Sequence, residues 1–331
     1  MNTNRASLLT FLRGRKLQVI SLSVSLVLGT ALGLLTANAL RATVAARGAG
    51  DMPGKERLHP RFAAAHTAAQ APAQLRRFIT LNPGDTVDFG DGPVSLGAHG
   101  ALLHRIGLGG RYRAVSSGHA AITVGRGKLK HQVYLFISPV PSRHVTREDI
   151  DWYRTQYGTG IANCGPALVS MAILWAHGKD IPVQKIRAEI GYPNDDGGTS
   201  FDDLGGSLGR HGVSYRSPTL SSARDLSNIL DRGHIAFVLI QSGAIRKVEG
   251  DPTVNLVGRY YDDDEGHYVL VKGYSLDRDY FVVYDPYPVD WESNSMRYAD
   301  EVTMIGKNRY YSAQQLFSAL KTRMVIEVTG D

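Results

Sequence analysis

A single cysteine, Cys164, stands among 331 residues. That excludes an intramolecular disulfide framework and any zinc site built from cysteines alone. None of the 11 histidines has a metal-ligand spacing such as H-E-x-x-H, so neither metal nor cofactor is expected. No G-x-x-x-x-G-K-[ST] loop occurs, which excludes a P-loop ATP site. Acidic side chains are missing from residues 1–40, and the net charge of +6 divides accordingly. Residues 1–40 contribute +4 from Arg5, Arg13, Arg15 and Lys16, residues 41–77 contribute +5, and residues 78–331 carry −3. The basic excess belongs to the amino-terminal stretch, and no nucleic-acid partner is expected. What remains, 43% hydrophobic and 21% charged, is an ordinary globular composition, neither disordered nor multi-spanning.

One long uncharged run is present, residues 17–40, and its 24 residues exceed the roughly 20 that a helix needs to cross a bilayer. The four positive charges before it predict that residues 1–16 form a cytoplasmic tail and that the rest is exported. A transmembrane signal anchor accounts for the length of the run. A cleavable signal peptide accounts for the small-x-small stretch Ala37-Asn38-Ala39. On either account residues 41–331 lie outside the cytoplasm, held at the cell membrane through residues 17–40 or secreted.

Residues 41–77, rich in Ala, Arg, Gly and Pro, read as a linker. Residues 78–140 change character. Strand-like runs at 78–81, 86–89, 112–115, 121–124 and 133–137 alternate with turn signals such as Asn82-Pro83-Gly84-Asp85 and Ser116-Ser117-Gly118. The spacing predicts a small all-β sandwich. The segments Leu81-Asn82-Pro83-Gly84-Asp85-Thr86-Val87 and 114–124 resemble bacterial Ig-like surface modules. Pro139-Val140-Pro141 and Arg143-His144-Val145-Thr146 read as a second linker. Residues 145–331 mix helices (165–176, 224–230, 312–320) with strands (235–240, 267–274, 280–284, 324–328), which predicts an α+β domain of a buried helix packed on an antiparallel sheet in two layers.

Cys164 opens the run Cys164-Gly165-Pro166-Ala167-Leu168-Val169. Pro166 suits the first helical position, which sets Cys164 over the positive end of a helix and favours a thiolate there. That helix is apolar nearly all round and is expected to be buried. Residues 266–274 and 279–286 read as a β-hairpin. If its loop centres near Leu276, His267 faces Asp285 directly. If it centres at Asp277, Asp285 faces Val269 and lies diagonal to His267 on the same face. A slip to an odd sum of paired residue numbers would part their faces. A nucleophilic thiol needs a base, and the base needs a group to orient its other nitrogen, roles that Cys164, His267 and Asp285 fit by type.

Gln156, Asn163-Cys164-Gly165-Pro166-Ala167, Gly198-Thr199-Ser200, the run 266–274 and Tyr284-Asp285-Pro286 together resemble papain-like cysteine peptidases. The branch they are most similar to is that of bacteriocin-leader-processing peptidases (cysteine-peptidase family 39) and its stand-alone relatives. The resemblance spans residues 148–328 and implies Cys164 as nucleophile, His267 as general base, Asp285 as orienter and Gln156 as a side-chain donor to the oxyanion. The Cys164 backbone N–H would be the second donor, which a helix start permits. Gln156 stands eight residues before Cys164, further than in the family. The expected function is an exported cysteine peptidase that acts on a peptide or protein outside the cytoplasm without ATP. A catalytically silent binding or scaffold protein of the same shape, or a transamidase on the same residues, is the alternative. Gly205-Gly206-Ser207-Leu208-Gly209 matches a hydrolase nucleophile elbow, but a capped helix start precedes it where a strand is required. The run Asp262-Asp263-Asp264-Glu265 reads as a solvated loop, and His177 and His211 as helix-end residues.

Overall fold

The computed structural model describes residues 77–156, 162–191, 198–288 and 296–330. The tail 1–16, the apolar run 17–40 and the linker up to residue 76 lie outside the described residues. Among the described residues no helix is long and apolar enough to cross a membrane.

Seven short strands come first: β1 (Arg77–Leu81), β2 (Thr86–Asp88), β3 (Val94–Ser95), β4 (Leu103–Arg105), β5 (Arg111–Ala114), β6 (Gly118–Val124) and β7 (His131–Ile137). They form two small sheets, β1-β7-β6-β3 and β2-β5-β4. Alternation along β6 and β7 turns Ala120, Ile122, Val124, Val133, Leu135 and Ile137 into one core, shared with Val87, Leu103 and Tyr112 of the other sheet. The opposite face of the same strands is also covered. His119 is sandwiched between Phe136 and Tyr298 at ring distances of 4.7 and 4.5 Å. Phe136 joins Tyr260, Tyr261, Val282 and Tyr310 in a second apolar cluster.

The stretch expected as a second linker is instead part of the main sheet. Residues Ser142–His144 form β8, paired antiparallel with residues 273–275. The cause lies outside the segment: Ser142 N–H donates to Asn82 Oδ1 at 2.7 Å, and the Tyr310 hydroxyl donates to Ser142 Oγ at 3.0 Å.

Then follow α1 (Cys164–His177), α2 (Val183–Ile190), α3 (Phe201–Arg210), β9 (Tyr215–Arg216), α4 (Ala223–Asp231), β10 (Ile235–Gln241), β11 (Gly266–Ser275), β12 (Tyr280–Tyr284), β13 (Arg309–Ser312), α5 (Ala313–Ala319) and β14 (Ile326–Val328). The sheet order is β13-β12-β11-β10-β14-β9, with β8 also on β11. On one face α1, α2 and α3 bury Leu168, Met171, Ile186 and Leu204 against Phe237, Leu270 and Tyr284. On the other, α4 and α5 bury Leu226, Ile229 and Leu316 against Val238, Val269 and Val283. The domain is therefore α+β as expected, with helices on both faces rather than in two layers. Strand β11 is buried along nearly its whole length, which only a sheet covered on both sides allows. Ser207 lies inside α3, whose N-cap Ser200 makes a capping box with Asp203, so no nucleophile elbow forms.

The β11–β12 ladder changes register once. Near the turn Gly273 pairs with Val282 and Tyr274 with Phe281, while further on Val271 pairs with Val283 and Leu270 with Tyr284. Lys272 is the extra residue of a bulge. Continued past it, the second register sets Asp285 across from Val269, the diagonal arrangement with His267. Without the bulge, Asp285 would oppose Leu270 and face away from His267.

Candidate active site

Helix α1 begins at Cys164 itself, with Asn163 as N-cap, so Pro166 is its third residue rather than its first. The shift costs nothing, because the N–H groups of a first helical turn have no intrahelical partner for a proline to lose. Ala167 N–H donates to Asn163 O at 2.9 Å to close the first turn. The approach to Cys164 is fixed by a buried cation. Arg187 on α2 donates to Asn163 Oδ1 at 2.6 Å, to Thr199 Oγ1 at 3.0 Å, and to the Ala162 carbonyl. Tyr268 OH donates to Thr199 O at 2.9 Å, tying the same corner to β11.

His267 and Asp285 are 1% and 0% exposed, and His267 Nε2 donates to Asp285 Oδ1 at 2.7 Å. With Nε2 so engaged, Nδ1 is the ring nitrogen left for another group, and the Cys164 side chain lies near enough to act on the imidazole. Burial pulls the His267 pKa down, but the charge and hydrogen bond of Asp285, then those of Cys164, reverse this and push it up to about 10. Burial alone would raise the Asp285 pKa, and the His267 charge and hydrogen bond, followed by Tyr311 and the Tyr287 N–H, lower it instead.

A cage of tyrosines completes Asp285. Its Oδ2 accepts from Tyr311 OH at 2.5 Å and Tyr261 OH at 3.1 Å, and its Oδ1 from Tyr287 N–H at 2.9 Å. Its carbonyl accepts from Tyr153 OH at 2.7 Å and Tyr260 OH at 3.2 Å, while its N–H donates to Gly306 O at 2.9 Å. A Cβ at Gly306 would stand 2.0 Å from the Asp285 carbonyl oxygen and 2.4 Å from the Tyr153 hydroxyl, so only glycine fits there. Arg309, fully buried, donates to the carbonyls of Pro252, Asn255 and Gly258 at 2.7–3.2 Å and so holds the loop that carries Tyr260 and Tyr261.

Gln156 is buried, and its N–H donates to Pro286 O at 2.9 Å, one residue past Asp285. The five residues that join it towards Cys164, 157–161, lie outside the described residues. The Asp262–Glu265 run disperses onto separate partners: Asp262 pairs with Lys247 at 2.6 Å, and Asp264 accepts from Gln241 Nε2 and Gly243 N–H. Among the described residues no group of acids, histidines and cysteine could hold a metal ion. His177 ends α1, and His211 caps α3 while bonding Glu189 at 2.7 Å.

Sequence reasoning named Cys164, His267, Asp285 and Gln156 but missed Arg187, Gly306 and the tyrosines. The doublets Tyr260-Tyr261 and Tyr310-Tyr311 were a legible signal of tyrosines gathered in one place.

The titrations fix a pH window. A histidine raised from its ordinary 6.5 to about 10 stabilises the fold fully below 6.5, and that contribution is lost as pH rises through about 10. A lowered Asp285 contributes above its ordinary 3.8 and is lost in acid. Thermal unfolding of the native chain and of His267→Gln from pH 4 to pH 10.5 should therefore show a stability gap that is widest between about pH 4 and 6.5 and closes towards pH 10. A gap that stays constant to pH 10 would contradict the pairing.

The sequence profile of the Peptidase_C39 like family matches residues 147–316. A crystal structure described as that of a candidate C39-like peptidase from Bacillus anthracis aligns over 53% of this chain and 92% of its own, at 14% identity and a TM-score of 0.36. No curated protein matches the chain. With just over half of its residues, and all of the elements from α1 to β13, inside that one family profile, the chain belongs to the Peptidase_C39 like family.

Proposed function

We propose that the protein is a cysteine peptidase in which Cys164, His267 and Asp285 act together, and that its catalytic part works outside the cytoplasm. The observation that carries this is the imidazole of His267, buried with a carboxylate on one nitrogen and the Cys164 side chain near enough to help raise its pKa. An isolated buried pair of this kind would serve structure alone. The only cysteine of the chain, set at a helix N-terminus and near the same ring, gives the pair a nucleophile to serve.

The chemistry follows from these atoms. Cys164 Sγ gives its proton to His267 and attacks the carbonyl carbon of a peptide bond, whose π electrons move to the oxygen. The Cys164 N–H, free at the start of α1, and the Gln156 side chain are the proposed donors to that oxyanion. When the tetrahedral intermediate collapses, the C–N bond breaks, and the imidazolium hands its proton to the leaving nitrogen. Water then enters, His267 takes its proton, the C–S bond breaks, and the thiol is restored. Asp285 keeps the ring oriented throughout and balances its positive charge. The uncharged run 17–40 behind four cations supports an external location.

The test is cleavage of a mixed peptide library followed by mass spectrometry. Cys164→Ala should abolish cleavage while the protein stays folded, and His267→Ala should lower kcat/KM by at least about 100-fold. Cleavage at the native rate by Cys164→Ala would refute the assignment.

A further inference from the structure

One cavity of about 240 Å³ opens between the β-module of β1–β7 and the main sheet, with Cys164, His267 and Asp285 all outside its lining. Among the described residues four cationic side chains, Arg147, Lys272, Arg297 and Lys307, line it against one carboxylate, Asp151, and Arg147 pairs outside the lining with Asp149 at 3.0 Å. Asp151 is already taken, paired with Lys307 at 2.7 Å. Lys272 is 2% exposed and, among the described residues, in no ion pair: it donates to Asn308 Oδ1 at 3.0 Å, stands 4.9 Å from the centre of the Tyr284 ring, and feels the charges of Lys307 and Asp151 only from further off.

A buried ammonium with no carboxylate paired to it is costly, and the cost is relieved either by shedding the proton or by taking up an anion. Burial, followed by the charge of Lys307, pushes the Lys272 pKa down to about 7, so near neutrality the two outcomes are balanced. A second group in the same lining asks for something different. His119 is 6% exposed, and its Nε2 has no hydrogen-bond partner. Burial, with the charges of Lys307 and Lys272, keeps the ring neutral although the Lys307 backbone pulls the other way, and a neutral ring has one nitrogen that can only accept.

We propose that this cavity is a binding site for a small hydroxycarboxylate, its carboxylate paired with Lys272 and its hydroxyl donating to His119 Nε2. An amino acid meets the same two groups less well, because its ammonium would enter a lining that already holds four cations. The site shares its walls with the supports of Asp285. Lys272 is the bulge residue that brings His267 and Asp285 to one face, Tyr153 lines the cavity while donating to the Asp285 carbonyl, and Lys307 follows Gly306. An occupant therefore steadies the segment that positions Asp285.

The test measures binding without reference to peptidase activity, so it stands or falls separately from the proposed function. Full-length protein in a neutral detergent is titrated with sodium L-lactate, sodium acetate and sodium chloride at equal ionic strength, and thermal unfolding is followed. Lactate should raise Tm saturably above the chloride control, and acetate should do so less. Lys272→Met should unfold no earlier than the native chain in plain buffer and should respond to neither acid. His119→Phe should keep the acetate response and lose the preference for lactate. Absence of a saturable shift with lactate, or an equal shift in Lys272→Met, overturns the site. Should Lys272→Met fail to fold, ¹⁵Nζ-lysine NMR of the native chain decides: lactate must move a lysine signal displaced from the bulk, and an unmoved spectrum overturns the proposal.

Discussion

The hydrogen bond between His267 and Asp285 is the contact on which the rest of the structure depends. Both groups are withdrawn from water, and burying a charged pair repays its desolvation only when the remaining lone pairs and protons are also satisfied. Here they are. The carboxylate accepts four hydrogen bonds, from His267, Tyr287 N–H, Tyr261 and Tyr311. Removing one partner of such a set leaves an uncompensated charge, which explains why so many separate elements converge on one side chain.

Those elements come from distant parts of the chain. Tyr153 precedes α1, Tyr260 and Tyr261 lie on the loop between β10 and β11, Gly306 precedes β13, and Tyr311 lies within it. The tyrosines are suited to the task because burial and the nearby Asp285 charge hold Tyr261 and Tyr311 well above their ordinary pKa, so each remains a neutral donor. A lysine or arginine in their place would compete with His267 for the carboxylate. Neutral donors stabilise the anion while leaving the imidazolium as its sole cationic partner. The bulge at Lys272 makes the arrangement possible at all, since one residue more or less in the ladder decides which face Asp285 occupies.

How much of this the sequence disclosed depends on whether the cause is local. Helix α1, strands β10, β11 and β12, and the helix start at Ser200 follow from apolar runs, capping residues and turn signals, and the structure places them within a residue or two of expectation. The diagonal relation of His267 to Asp285 is one of two registers the sequence allows, and it requires a bulge that nothing in Val271-Lys272-Gly273 announces. Strand β8 looks like a linker in the sequence because its three residues carry no periodic signal, and its pairing is imposed by β11 and Asn82. Helix α2 went unread, and so did Arg187, which as a charged residue on a short amphipathic helix looks solvent-facing until Asn163 and Thr199 are brought to it. Long-range hydrogen bonds to backbone carbonyls leave no trace in sequence spacing.

In the function proposed above, the buried His267–Asp285 pair holds a charged imidazole near the Cys164 sulfur. The most direct measurement is the rate of Cys164 alkylation by iodoacetamide as a function of pH, in the native chain and in His267→Ala. An isolated thiol reacts appreciably only as pH approaches about 8.5, whereas one paired with an imidazolium reacts in mild acid. Fast labelling of the native chain at pH 6 that disappears in His267→Ala is expected. Slow labelling in both proteins, rising together near pH 8.5, would contradict it.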